Sequence, residues 1–243
     1  MTSEKHKITT ALLMAAGMGT RIRPLSENIP KPLIQVNGIP MIESLLNAIT
    51  KAGITEIIIS VGYKKEEYLY LQEKYSGITF VENKEYTKKN TISSFYAAKD
   101  MLKNKNCLVC ESDLYIANSS IFTNMLDKSR YYLKYTKPQN YEWGFEIDND
   151  KVKKVVRPKS DVYLNHHMYG LAYWLKNDMN TLINAVEKAY LLPGHEQKAY
   201  DEIGNDIFSE IDMGLIEVKN GDLYEIDCIE DLVKIDMSYQ KYL

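Results

Sequence analysis

Four residues near the amino terminus stand at a spacing that can handle phosphate. In "MAAGMGTRIRPLSENIPKPL", which runs from Met14 to Leu33, Gly17 and Gly19 precede Arg21, and Lys31 follows between Pro30 and Pro32. Glycines let a backbone turn sharply and approach a ligand with no Cβ in the way. Successive N–H groups in such a turn form a concavity for an anion. Arg21 offers a two-pronged clamp that lysine cannot supply. The prolines restrict the chain on both sides of Lys31, so its ammonium is presented at little ordering cost. Together these parts suit a nucleoside triphosphate. The glycines alone would fit any strand-to-helix turn.

Such groups need a scaffold, and the first half supplies one by regular alternation. "ITTALLMAA" reads as a strand, "MIESLLNAITKAG" as a helix ending at Gly53, and "TEIIISVGY" as a strand with a glycine at its exit. The segment "KKEEYLYLQEKYSG" predicts a charged amphipathic helix, "ITFVEN" a strand, "TISSFYAAKDMLKN" a helix and "NCLVCESD" a strand. This order means right-handed βαβ units and a parallel sheet. Ligands of open α/β sheets bind beyond the carboxyl ends of the strands. That nominates the loops after Ala15, Val61, Asn83 and Cys110.

After Asp113 the pattern changes. "YYLKYTKP", "YEWGFEID" and "KVKKVVRP" predict antiparallel strands, with "DND" as one tight connection. "HHMYGLAYWL" predicts another strand. Helices follow around 178–190 and 199–211, then strands in "GLIEVK" and "LYEID", then a closing helix from about Ile229. The expectation is one domain over residues 1–243, with a nucleotide-binding half to about residue 115 and an acceptor-binding half beyond it.

Bulk properties narrow the partners. Of 243 residues, 45% are hydrophobic and 26% charged, ordinary for a chain that buries a full core. A net charge of −3 gives no basic field for nucleic acid or an anionic membrane, so any anion must meet a local cationic cluster. No apolar run approaches the roughly 20 residues that span a bilayer. Lys5 and Lys7 before "ITTALLMAAG" loosely imitate a secretory signal, but the apolar part is short, and a cytoplasmic location is expected. The three cysteines do not make a disulfide framework. Cys107 and Cys110 lie three apart on a strand and so face opposite ways, which predicts core thiols. His166 and His167 likewise cannot share a strand face to hold a metal.

The stretch "LLMAAGMGTRIRPLSENIPKPL" resembles the signature loop of the sugar nucleotidyltransferase superfamily, where G-x-G-x-R is followed by P-K-P or P-K-A. The likeness continues through "MIESLLNAITKAGITEIIISVGYKKE" and reaches "GDLYEIDCIEDLVKI". Within the superfamily the chain is most similar to short cytidylyltransferases acting on phosphocholine or 2-aminoethylphosphonate. The resemblance implies a Rossmann-like three-layer α/β fold, its mixed, mostly parallel sheet carrying an antiparallel acceptor-binding portion. It also implies condensation of CTP with a small amino or quaternary-ammonium phosphonate or phosphate, with release of pyrophosphate. A fused or partner transaminase domain remains open.

Site residues carry over from the resemblance. Asp113 in "CESDLYI" and Asp227 in "YEIDCIED" match the family's Mg²⁺ ligands, and Glu111 could assist. From the residues alone, Asp227 fits a helix N-cap equally well. Lys31 and Arg21 match the catalytic cations. The loops around the base point to Ala15, Ala16, Gly17, Gly19, Gly62, Tyr63, Asn90 and Ser94. Lys159 in "VVRPKSD" matches a lysine near the acceptor phosphate.

A trimethylammonium group has no N–H and is held by aromatic faces, whereas a primary ammonium can also donate to carboxylates. Trp143 and Glu142 offer one of each, and Tyr169 is a further candidate for the same pocket. Where phosphocholine enzymes carry aromatics, this chain has Ile203 and Gly204, while Asp201, Glu202 and Asp206 supply negative charge. The balance favours 2-aminoethylphosphonate over phosphocholine. A hexose-1-phosphate nucleotidyltransferase and a non-catalytic nucleotide-binding subunit are the more distant readings. A dinucleotide oxidoreductase is disfavoured, because G-M-G-T-R lacks the third glycine of that fingerprint.

Overall fold

The computed structural model describes residues 4–243. Four strands of three or more residues come from the described first half: β1 (Thr10–Ala15), β2 (Glu56–Val61), β3 (Ile78–Glu82) and β4 (Cys107–Glu111). The second half adds β5 (Leu114–Ile116), β6 (Arg130–Gln139), β7 (Gly144–Asp148), β8 (Lys151–Val156), β9 (Leu164–Trp174), β10 (Gly214–Glu217) and β11 (Leu223–Glu225). Seven of these form one sheet in the order β10-β6-β9-β4-β1-β2-β3. The β4-β1-β2-β3 run is parallel, whereas β9 pairs antiparallel to both β4 and β6. A mixed, mostly parallel sheet continued by an antiparallel portion is the expected α/β architecture.

Helices cover both faces, which is why every residue of β1 is buried. Ala11 and Leu13 pack on one side with Leu45 and Ile49 of α1 (Met41–Lys51). Leu12 and Met14 pack on the other with Phe95 of α2 (Ile92–Leu102) and Leu182 of α3 (Lys176–Tyr190). Each of these buried Leu, Ile, Met and Phe side chains contributes about 1.5–3 kcal/mol. Helix α1 ends before Gly53, whose φ of +85° is the left-handed conformation that closes helices. Cys110 belongs to the first core and Cys107 to the second, so the two thiols do face opposite ways. The β7–β8 hairpin turns on Asn149 and Asp150, both with positive φ, as a tight two-residue loop requires. Among the described residues, no helix is long and apolar enough to cross a membrane.

Three segments depart from expectation. The charged helix over "KKEEYLYLQEKYSG" is instead a 3-10 turn, Lys65–Tyr68, followed by a short helix, Tyr70–Lys74. Only Tyr68 and Leu71 are buried there, and their spacing of three suits the tighter turn. The helix expected over 199–211 shrinks to α4 (Tyr200–Ile203). Beyond it the Asn205 side chain bonds both the N–H and the C=O of Val155, at 2.6 and 3.1 Å, so strand contacts win over helix continuation. Finally, β7 begins at Gly144 rather than Tyr141. Gln139 Oε1 accepts the N–H groups of Tyr141 and Glu142, at 3.0 and 2.8 Å, folding that stretch into a turn at the mouth of a cleft.

Candidate active site

The loop after β1 carries the first group of candidates. A Cβ at Gly17 would meet nothing within 4 Å, so its backbone faces open space. Gly19 has φ +60°, and a Cβ there would stand 2.8 Å from Lys31 Cβ. Ser26 Oγ ties the turn by donating to Gly19 C=O at 2.7 Å. Lys31 opens a 3-10 turn between its prolines and is 7% exposed.

Two carboxylates far apart in sequence meet this lysine. Strands β5 and β11 pair antiparallel, with Leu114 opposite Glu225. The Ile226 N–H also donates to Asp113 C=O at 3.1 Å, which sets Asp113 beside Asp227. Lys31 Nζ donates to Asp113 Oδ2 at 2.7 Å and Asp227 Oδ1 at 2.8 Å. Arg21 holds Asp227 bidentately, Nη1 to Oδ2 at 2.8 Å and Nη2 to Oδ1 at 2.7 Å. Burial works to lower the Lys31 pKa, but the Asp113 and Asp227 charges outweigh it and hold the ammonium above its ordinary value. Lys31 is therefore a fixed cation.

Asp227 does not cap the closing helix, α5 (Ile229–Ile235). Cys228 occupies the cap position, and Asp231 accepts the N–H groups of Asp227 and Cys228 at 3.1 and 3.2 Å. The Asp227 carboxylate is left for the cations. Asp113 Oδ1 is buried without a hydrogen-bond partner. Two carboxylates with one uncommitted oxygen suit a hard divalent cation completed by phosphate oxygens and water. Among the described residues there is no group of three or more His, Cys, Asp or Glu able to enclose a metal alone. His166 is unsuited to one, since its Nε2 accepts the Phe145 N–H at 3.0 Å.

Two cavities meet at this cluster. One, of about 390 Å³, is lined by Ala15, Ala16, Gly17, Gly19, Asn90 and Ser94. The other, of about 480 Å³, is lined by Glu142, Trp143, Gly170, Asp201 and Glu225. Arg21, Glu111, Asp113 and Asp227 line both. The second cavity is rich in carboxyl groups. Burial raises the pKa of Glu111 and Glu225 well above the carboxylate range, and neighbouring Asp113 adds to it in both. Burial lifts Asp201 to about 7 against the hydrogen bond from Tyr131, whose hydroxyl donates at 2.9 Å. Glu142 is raised by burial and by Asp227. Four carboxyl groups crowded this way favour a cationic guest.

Five expected site residues do not line either cavity. Gly62 packs beneath Tyr86, whose ring would lie 2.6 Å from a Cβ, so it acts on the wall indirectly. Tyr63 turns away and donates its hydroxyl to Ser26 C=O at 3.0 Å. Tyr169 is buried in the core against His167. Glu202 is engaged by Arg157 and by the Ala199 N–H at the start of α4. Lys159 sits exposed on a turn, bridged to Val162.

Other lining residues were not singled out from the sequence. Asn83 is buried and donates to Ser93 Oγ and Ser94 Oγ at 2.9 and 3.1 Å, shaping the first cavity. Ser112 lines it with a buried, unpartnered hydroxyl, and Tyr86 and Lys89 are also on its wall. Asn83 ends a nominated strand and was legible by position; Ser112 carried no signal beyond lying between two acids. Gly170 escaped because its reason is three-dimensional: a Cβ there would stand 2.7 Å from Glu111 Cδ.

Comparison with known proteins gives the same architecture a lineage. Residues 10–136 match the nucleotidyl transferase family. The chain is 39% identical to 2-aminoethylphosphonate cytidylyltransferase of Lancefieldella rimae, over 95% of this chain and 93% of that one. It is 34% identical to choline-phosphate cytidylyltransferase of Streptococcus pneumoniae, over 93% and 96% of the two chains. The solved structure of CTP:phosphocholine cytidylyltransferase from Streptococcus pneumoniae superposes with a TM-score of 0.86 at 32% identity, covering 96% of this chain and 99% of the other.

Proposed function

The chain belongs to the nucleotidyl transferase family, and from that premise we propose that it transfers CMP from CTP to 2-aminoethylphosphonate. The observation that carries this is the charged cluster at the seam between two cavities, one suited to a nucleotide and one acidic. A phosphonate oxygen attacks the α-phosphorus. The new P–O bond forms as the α–β bridging bond breaks, and pyrophosphate leaves with that electron pair. The acceptor is already an anion, so no general base is needed. Positioning and electrostatics supply the rate.

In this reading Lys31 neutralises charge at the α-phosphate and the incoming oxygen, and Arg21 holds the outer phosphates. Asp113 and Asp227 are the residues that would hold Mg²⁺, which when bound supplies further neutralisation of the phosphates. Ala15, Ala16 and Gly17 offer backbone groups to the base, with Asn90 and the buried Ser94 opposite. Glu142, Asp201, Glu225 and Glu111 accept from the primary ammonium. Lys159 and Glu202 take no direct part. Strands from both halves share one sheet, which supports reading the chain as a single domain.

Phosphocholine is the second reading, favoured by Trp143 in the acceptor cavity. Pyrophosphate release separates the two when each of four nucleotides is crossed with 2-aminoethylphosphonate, phosphocholine and glucose-1-phosphate. Fastest release with CTP and the phosphonate is expected. Release with phosphocholine alone would reverse the acceptor, and release with the sugar phosphate alone would displace both.

A further inference from the structure

Trp143 lines the acceptor cavity, yet its indole already has a cationic partner. The guanidinium carbon of Arg157 lies 5.2 Å from the ring centre, while Arg157 itself is not among the residues lining that cavity. The guanidinium is held in place from elsewhere. Arg157 Nε donates to Glu202 Oε1 at 2.5 Å, Nη2 donates to Glu202 Oε2, and Nη2 also reaches Gln197 C=O at 2.7 Å. Glu202 is fixed in turn by the Ala199 N–H at 2.8 Å. Planar guanidinium groups stack on aromatic faces in this manner.

We propose that Arg157 is a positioning residue for acceptor choice, acting through Trp143 to disfavour quaternary ammonium groups. An aromatic ring attracts a cation through its negative face. When a guanidinium draws on the same π-system, a second cation gains less and meets the first one's repulsion. A trimethylammonium group has no N–H and depends on that face. A primary ammonium loses little, because Asp201, Glu142 and Glu225 accept its hydrogen bonds on the other walls of the cavity. Arg157 thereby turns a potential aromatic cage into a plain wall and leaves recognition to the carboxylates.

Arg157 can select an acceptor only if the activity is the cytidylyl transfer proposed above, so the test reads both. The parent, Arg157→Gln and Arg157→Lys are assayed with CTP and Mg²⁺ against phosphocholine and 2-aminoethylphosphonate, and kcat and KM are obtained separately. The glutamine keeps hydrogen bonding toward Glu202 without the charge. Its kcat/KM ratio of phosphocholine to phosphonate should rise about threefold or more, as loss of a cation–π contact implies. The change should fall on the acceptor KM and leave the KM for CTP within about twofold. Arg157→Lys, with the cation kept, should stay near the parent ratio. A parent that favours the phosphonate, with a ratio unmoved in Arg157→Gln or moved equally in Arg157→Lys, would overturn the role of Arg157 alone. A parent that favours phosphocholine would overturn it together with the acceptor reading beneath it.

Discussion

Gly19 and Lys31 touch as closely as a glycine permits: a Cβ on Gly19 would lie 2.8 Å from Cβ of the lysine. With φ at +60°, Gly19 also holds a conformation that costs an L-residue about 1–2 kcal/mol. Gly19→Ala should lower Tm by several degrees. It should also cut kcat/KM for CTP by roughly tenfold or more, because displaced catalytic groups lose rate steeply. Unchanged kinetics would mean that the turn does not set the lysine's position.

Removing the fixed cation isolates its role. In Lys31→Ala, Asp227 keeps Arg21 while Asp113 loses the partner that held Oδ2 at 2.7 Å. Turnover should drop by roughly 10² or more, the scale of losing one charged group from a transition-state site. The circular dichroism spectrum should stay that of the parent. Rates within a few-fold of the parent would remove Lys31 from the mechanism.

Asp201 makes stability depend on pH. Its carboxyl titrates at about 7 in the fold, far above the ordinary 3.8, because it is buried. A folded-state pKa raised this way favours the protonated form. Its contribution is full below about pH 4 and is lost as pH rises through 7. Parent Tm should therefore fall between pH 5 and 8 relative to Asp201→Asn, which cannot ionise. Parallel profiles for the two proteins would contradict this.

Much of this site was legible because strand ends announce themselves. Gly19 and Arg21 follow the apolar strand β1 and Asp113 follows β4, whereas Lys31 is marked by its flanking prolines and Asp227 by the family resemblance. The parallel half follows from alternation alone. What escaped depends on pairing between distant segments. Asp227 is aimed at the cations because Asp231 takes over the helix start, and local sequence fits either role. Glu202 looks like pocket acid in one dimension and proves to be the anchor of Arg157 in three. The short α4 has the same origin, since Asn205 gives its amide to Val155 rather than to a helix.

Phosphorus NMR of the purified protein with CTP, Mg²⁺ and 2-aminoethylphosphonate tests the central claim most directly. Transfer of CMP joins two phosphorus atoms through one oxygen. Two mutually coupled resonances should therefore grow in, one of them carbon-bound phosphorus, alongside free pyrophosphate. A phosphonate signal that stays a singlet while CTP persists would contradict the account.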